Sequence, residues 1–429
     1  MEILFLSHRI PYPPDKGDKI RAHAIVTHLA ARHKVHLACF LDDPADFQHT
    51  DTVRRMVQGE CRFVPLSRKF ALARGLIGSL RGRPITTGYF GSSEIDSWLK
   101  KILRDRPIAR AVVFGSAMAP YMLRQPGFDL NRSILDLVDV DSDKWQQYAA
   151  TMSWPKNWIY RREAKALGAL ERKAARQFGA TLLVSPYEAR TFAYMAPEIA
   201  SKIHSVSNGV DLARFNPTIP FARPFPSRDP IICMTGAMDY WPNAEGAKWF
   251  CEEVMPLLLR ELPGVKFYIV GSNPSAGVIA LQTSHIIVTG RVEDVRPYLA
   301  HADVAVAPLR IARGVQNKVL EAMAMGKPVV ATQQATRALA VESGAELWIE
   351  NDPSRFAGAI LEAIVGSKRA AIAANGRAYV ERSHNWSKIL TAFDDLLDAP
   401  KHSGKAPIHV VPSGDFARNS AVGAKNPCI

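Results

Sequence analysis

Between positions 310 and 321 the chain gathers Arg310, Arg313, Gly314, Gln316, Asn317, Lys318 and Glu321, residue types that suit a bound anion. Gly314 lets backbone approach a ligand closely. Asn317 as an N-cap would leave neighbouring amide N–H groups and the positive end of a helix dipole for a diphosphate. Lys318 adds a full charge, with Arg310 and Arg313 beside it. Glu321, one turn on, could accept from the two hydroxyls of a ribose. It could equally complement the dipole and pair with Lys318, and spacing alone does not choose between these.

Elements must position these groups. Val304 to Leu309 is an apolar run that suits a buried strand. Asn317 to Met325 carries apolar residues at helical spacing, with Gly326 and Pro328 as a stop. Pro328 to Thr332 reads as a second strand. Strand, Gly-bearing loop, helix and strand make one unit of a parallel α/β sheet, the loop at the carboxyl edge where such sheets bind ligands.

A second chemistry-bearing region lies nearer the amino terminus. Ile3–Leu6, a helix over Arg21–Arg32 and Val35–Phe40 open the chain as a βαβ unit. The loop after the first strand holds Lys16, Gly17 and Asp18, with Arg21 at the helix start. It is not GxGxxG, so dinucleotide binding is unsupported. The predicted strand Ser133–Val138 runs into Asp139, Asp141 and Asp143, which form two overlapping DxD triplets. Such triplets can hold a metal–diphosphate pair, but they arise easily in acidic loops. Without a metal, Asp139 or Asp141 could instead orient a bound hydroxyl. The strand Ile231–Thr235 leads to Gly236.

The residues Gly314, Lys318, Glu321-Ala-Met-Ala324 and Gly326-Lys-Pro-Val-Val330 resemble the nucleotide-sugar signature of GT-B glycosyltransferases of family 4, the glycosyl transferases group 1. Ser207-Asn-Gly-Val-Asp211 with Phe215 and Pro217 resembles the close of the first domain in that family. There Asn208-Gly209 reads as a tight-turn pair. The resemblance implies two Rossmann-like α/β domains with parallel sheets facing across a cleft. It also implies a ribose role for Glu321 and donor contacts from Gly17 and Gly236, and it sets the Lys16–Asp18 loop close to the reacting groups, with Arg21 as a candidate catalytic residue. Two departures stand out. Arg313 occupies the position, eight before Glu321, where the family usually has Glu. The loop after Thr235 lacks the phosphate-binding Arg and Lys of many relatives. The LVDVDSDKW string also resembles a subgroup associated with exosortase/PEP-CTERM exopolysaccharide systems.

The expected organisation is an acceptor-side domain over 1–215, a Pro-rich linker over 216–229 and a nucleotide-sugar domain over 230–375. A helix over 376–398 crosses back to the first domain, and 399–429 is expected to be a disordered tail. Net charge is +13. Residues 1–180 hold 29 Lys or Arg against 18 Asp or Glu, so the first domain should face something anionic. Residues 61–93 lack acidic side chains. Over 67–84 a basic amphipathic helix is expected to lie on an anionic membrane surface. Another basic helix is expected over Asn157–Phe178, with Glu163 and Glu171 giving some pairing. Its bland reading is a solvated face. No zinc-finger, RNA-recognition or basic-zipper pattern points to nucleic acid. Five scattered cysteines without CxxC suit a reduced, cytoplasmic setting without structural zinc. The opening MEILFLSHRI reads as a strand rather than a signal peptide.

The resemblance implies a retaining, metal-independent glycosyltransferase without a cofactor, using a nucleoside diphosphate sugar as co-substrate. It would act on a lipid-linked or polysaccharide-precursor acceptor at the inner membrane face. Two other readings are a nucleotide-sugar epimerase of the same fold and a degenerate sugar-nucleotide-binding protein.

Overall fold

The computed structural model describes residues 1–398, so the expected disordered tail lies outside the described residues. Its described residues form two compact units, one of Met1–Arg214 with His384–Asp398, the other of Phe215–Ser383.

The first unit is built on a seven-stranded sheet of order β3-β2-β1-β4-β5-β6-β7. Its strands are β1 (Glu2–Ser7), β2 (Lys34–Leu41), β3 (Cys61–Pro65), β4 (Ile108–Phe114), β5 (Ile134–Val138), β6 (Ala180–Leu183) and β7 (Ile203–Ser205). Every pairing in it is parallel. Alternate residues of β1 enter opposite cores, Leu4 and Leu6 on one face, Ile3 and Phe5 on the other. This two-sided burial explains the near-continuous apolar run of that strand. The second face is closed by Ile389, Leu390, Phe393 and Leu397, all on the helix Trp386–Asp398. The single helix expected over 376–398 is therefore two, Arg369–Ser383 and Trp386–Asp398, separated at His384 and Asn385.

Between them the chain meets 207–211. His384 Nδ1 lies 2.8 Å from the Asn208 carbonyl, and Val210 N donates to the His384 carbonyl at 2.8 Å. Asn208-Gly209 is not a tight turn, as expected, but an irregular stretch leading into a β-bridge at Val210. A Cβ on Gly209 would come within 2.7 Å of the Trp386 ring, so the glycine answers to packing here.

The second unit carries a six-stranded sheet of order β10-β9-β8-β11-β12-β13. The strands are β8 (Ile231–Thr235), β9 (Lys266–Val270), β10 (Ile286–Gly290), β11 (Val304–Ala307), β12 (Val329–Ala331) and β13 (Trp348–Ile349), again paired in parallel. Residues 216–229 have neither helix nor strand. Buried Phe225 seats them on this unit against Tyr268 and Tyr298, with ring centroids 4.6 and 5.7 Å away.

The first helix runs Gly17–Ala30, starting four residues earlier than expected. The basic helix runs Lys156–Gln177. Its Glu163 and Glu171 are buried rather than paired with neighbouring lysines and arginines. Glu163 accepts from the backbone N–H of Ile85 and Thr86, and Glu171 from Ser142.

Candidate functional site

In the second unit, β11 delivers the chain to the loop 310–316, and the helix Asn317–Ala324 leaves from it. Gly314 has a φ of 60°. Gln316 Nε2 donates to the Arg313 carbonyl at 2.7 Å, closing the loop on itself. Gln316, not Asn317, occupies the cap position, and no side chain caps the helix; Asn317 is its first residue. The reason is local, because Gln316 keeps extended backbone while Asn317 has already turned helical.

Lys318 reaches the loop after β8. Its Nζ donates to Asn243 Oδ1 at 2.6 Å, and Asn243 Nδ2 donates to the Ala237 carbonyl at 2.8 Å. Gly236 has a φ of 151°, and a Cβ there would lie 2.9 Å from the Lys318 amine. A Cβ on Gly271, just after β9, would meet the Gly236 carbonyl at 1.6 Å. Glycines at the carboxyl ends of β8 and β9 thus let the loops nest around the ammonium. Burial pushes the Lys318 amine down to about 8, opposed by the charge of Glu321. Glu321 is half-buried on the same helix. Arg310 is exposed and stands over the Trp249 ring, 5.7 Å from its centroid. Arg313 is half-buried in the loop. Gly236, Arg310, Arg313, Gly314, Asn317, Lys318 and Glu321 therefore share one sheet edge, with Asn243 and Gly271 as members the sequence reading missed.

In the first unit, Gly17 is exposed and opens its helix. Arg21 does not reach a surface. It is fully buried, with Nε 2.8 Å from Asp136 Oδ2 and Nη1 donating to the carbonyls of Val206 at 2.8 Å and Ser207 at 3.2 Å. The expected catalytic arginine is an internal brace that fixes the segment leading to Asn208. Asp139 and Asp141 follow β5. Val138, the last residue of the strand, has a φ of 67°, rare for a β-branched residue, and Asp139 N donates back to the Leu137 carbonyl at 2.9 Å. Asp141 begins the helix Asp141–Thr151 and accepts from Ser116 Oγ at 2.9 Å. Behind it, burial and then the Asp141 charge push the Glu171 carboxyl up to about 8. Among the described residues no group of three or more His, Cys, Asp or Glu could hold a metal ion.

His8, also missed, directly follows β1. It stacks on Phe114 with centroids 5.9 Å apart, and its Nε2 lies 3.2 Å from Asp18 Oδ2. Burial alone would raise the Asp18 carboxyl, but His8 and Arg9 hold it well below the usual range. A histidine directly after an apolar strand, followed by an acid at a helix start, was the signal available in the sequence.

Comparison with known proteins gives this edge a context. The model of the glycosyl transferases group 1 matches residues 229–365, the part that holds the Lys318 constellation. No curated protein matches the chain. Among solved structures, Anabaena HepE in complex with UDP-glucose is similar over 92% of this chain and 99% of its own, at 15% identity and a TM-score of 0.64. WaaG, a glycosyltransferase involved in lipopolysaccharide biosynthesis, is similar over 93% and 100%, at 16% identity and a TM-score of 0.65. Sucrose-phosphate synthase from Thermosynechococcus elongatus is similar over 92% and 98%, at 16% identity and a TM-score of 0.65. The chain has the two parallel-sheet α/β units of the GT-B fold, and over residues 229–365 it carries a glycosyl transferases group 1 domain.

Proposed function

We propose that the protein is a retaining, metal-independent glycosyltransferase of family 4, taking its sugar from a nucleoside diphosphate sugar held by the second unit. The observation that carries this is the Lys318 ammonium beside Gly236 inside the matched domain. It supplies the cation that the loop after β8 lacks. The helix start at Asn317, with Arg313 nearby, adds to it, so charge developing on the leaving diphosphate meets donors already in place. Glu321 takes the ribose, and no cofactor is required. HepE binds UDP-glucose, which supports a nucleotide-sugar donor here. The Asp139–Asp141 turn serves the acceptor.

The acceptor is a lipid-linked or polysaccharide precursor, in exopolysaccharide synthesis of the exosortase/PEP-CTERM type. The enzyme acts from the cytoplasm on the inner face of the membrane. Supporting this, the helix Arg68–Leu80 exposes Phe70, Leu72, Leu76, Ile77 and Leu80, the last at 89%, beside Arg74 and Arg81. Arg162 holds its end by hydrogen bonds to Ser79. Trp154 and Trp158 are exposed at the start of the Arg162 helix. Among the described residues no helix is long and apolar enough to cross a membrane, so contact through this patch would be interfacial.

The deciding experiment is a thermal-shift screen with UDP, GDP, ADP and dTDP sugars, with and without EDTA. One selective, EDTA-insensitive ligand at about 100 times its Kd should add about 2.7 kcal/mol of stability. Silence from all four would overturn the donor site, and EDTA sensitivity would overturn metal independence.

A further inference from the structure

We infer that the first unit carries a separate groove for the phosphate-bearing end of an acceptor saccharide. The groove encloses about 630 Å³ between the helices Asp141–Thr151, Lys156–Gln177 and Pro186–Met195. Two of these helices start at the carboxyl ends of β5 and β6, where ligands of parallel sheets bind. Two lining residues, Ser142 and Asp143, directly follow the Asp139–Asp141 turn in the chain.

Three cations face it, Arg161, Lys165 and Arg190, against a single lining carboxylate, Asp143. None of the three makes a hydrogen bond or ion pair among the described residues, whereas Glu163 and Glu171 on the same helix are engaged elsewhere. Cations left unpaired around a concavity favour an anion, and the guanidinium forks of Arg161 and Arg190 suit phosphate oxygens. Tyr187, Arg190 and Tyr194 lie on one face of their helix at i, i+3 and i+7. Tyr194 is exposed at 89% and Tyr187 is half-buried. Two aromatic faces with a cation between them match a sugar ring bearing a phosphate ester. Asp143, which accepts from Gln147 Nε2 at 3.3 Å, lines the same groove.

This inference rests on the glycosyltransferase reading and assigns its acceptor class. Glucose 1-phosphate and glucose, as charged and neutral probes, are titrated calorimetrically into the full chain. The variants are the triple Arg161→Gln/Lys165→Gln/Arg190→Gln, Tyr194→Ala, and Lys318→Met, which lies in the other unit. The expected result is binding of glucose 1-phosphate over glucose, weakened roughly tenfold or more in the triple variant and several-fold by Tyr194→Ala. Lys318→Met should leave it intact. The triple variant replaces exposed side chains and should keep the wild-type melting temperature. Equal binding by the triple variant overturns the groove. So does loss in Lys318→Met, which would place the phosphate in the nucleotide site, and so does absence of binding to the wild type. UDP binding is read in parallel. A chain that binds UDP but not glucose 1-phosphate loses only the groove, and one that binds no nucleotide loses the donor reading.

Discussion

Lys318 and Asn243 come from different helices, yet the lysine ammonium donates to the amide oxygen at 2.6 Å while the amide nitrogen holds the Ala237 carbonyl at 2.8 Å. One side chain thus fixes both the cation and the backbone of the loop after β8. A Cβ at residue 236 would crowd the pair, lying 2.8 Å from the amide nitrogen and 2.9 Å from the ammonium.

That arrangement makes Lys318 the main electrostatic partner of a diphosphate. Lys318→Met should weaken UDP binding roughly tenfold to a hundredfold, the range for a hydrogen bond to a charged group. Asn243→Ala should weaken it less, because the ammonium survives but loses its anchor. Calorimetric titration of both variants checks the order, and an unchanged affinity in Lys318→Met rejects the role.

The pH dependence has a definite sign. Burial lowers the Lys318 amine from an ordinary 10.5 to about 8, so the free protein loses this charge as pH rises past about 8. A bound diphosphate favours the charged form, so affinity should fall above that pH and binding near pH 8.5 should take up a proton. The heat of binding would then vary with the ionisation enthalpy of the buffer. In the free protein the unfolded chain holds more protons than the folded one between about 8 and 10.5, so this group makes stability rise across that window. Lys318→Met should abolish both effects; a wild-type affinity flat from about pH 7 to 9.5 would contradict them.

The sheet core was legible because parallel strands buried on both faces need apolar runs, and Val304–Ala307 and Val329–Ala331 stand where such runs were read. The loop–helix holding Lys318 was legible from its glycine, polar cluster and stop. What was not legible depended on pairings distant in sequence. Nothing near Arg21 announces Asp136 as its partner, and nothing near Lys318 announces Asn243. The two glutamates of the basic helix read as surface pairing because helical spacing alone cannot tell an inward acid from an outward one. The Gly209–Trp386 contact joins residues far apart in sequence, so the glycine was read by its local turn tendency alone.

Glu171 offers a test in the opposite direction of pH. Its carboxyl, raised to about 8 by burial and by Asp141, binds a proton in the folded state that the unfolded chain releases near its ordinary 4.5. Stability from this group is full below about 4.5 and is lost as pH rises through about 8. Glu171→Gln keeps an acceptor for Ser142 without the titration. Its melting temperature should overtake that of the wild type with rising pH across this window. A constant difference between the two would show that Glu171 titrates normally.

The exposed patch makes a prediction about surfaces. Leu76→Asp with Leu80→Asp replaces two side chains that are 56% and 89% exposed, so folding should be little affected. Each buried leucine contributes about 1.5–3 kcal/mol on leaving water. Cosedimentation with phosphatidylglycerol vesicles should therefore drop by at least roughly tenfold, with UDP binding unchanged. Undiminished cosedimentation would mean the patch does not touch the bilayer.

Arg21 separates a brace from a catalyst. Both it and Asp136 are fully buried, and burial raises the Asp136 carboxyl against the pull of Arg21. Arg21→Met strands the carboxylate and should cost about 3–5 kcal/mol, whereas Arg21→Met with Asp136→Leu removes both charges and should recover much of that loss. Denaturant melts of the two variants decide the point. If Arg21 acts only as a brace, the double variant should also regain nucleotide binding in step with its stability. Recovery of stability without recovery of turnover, measured once the donor is known, would instead return Arg21 to the reaction.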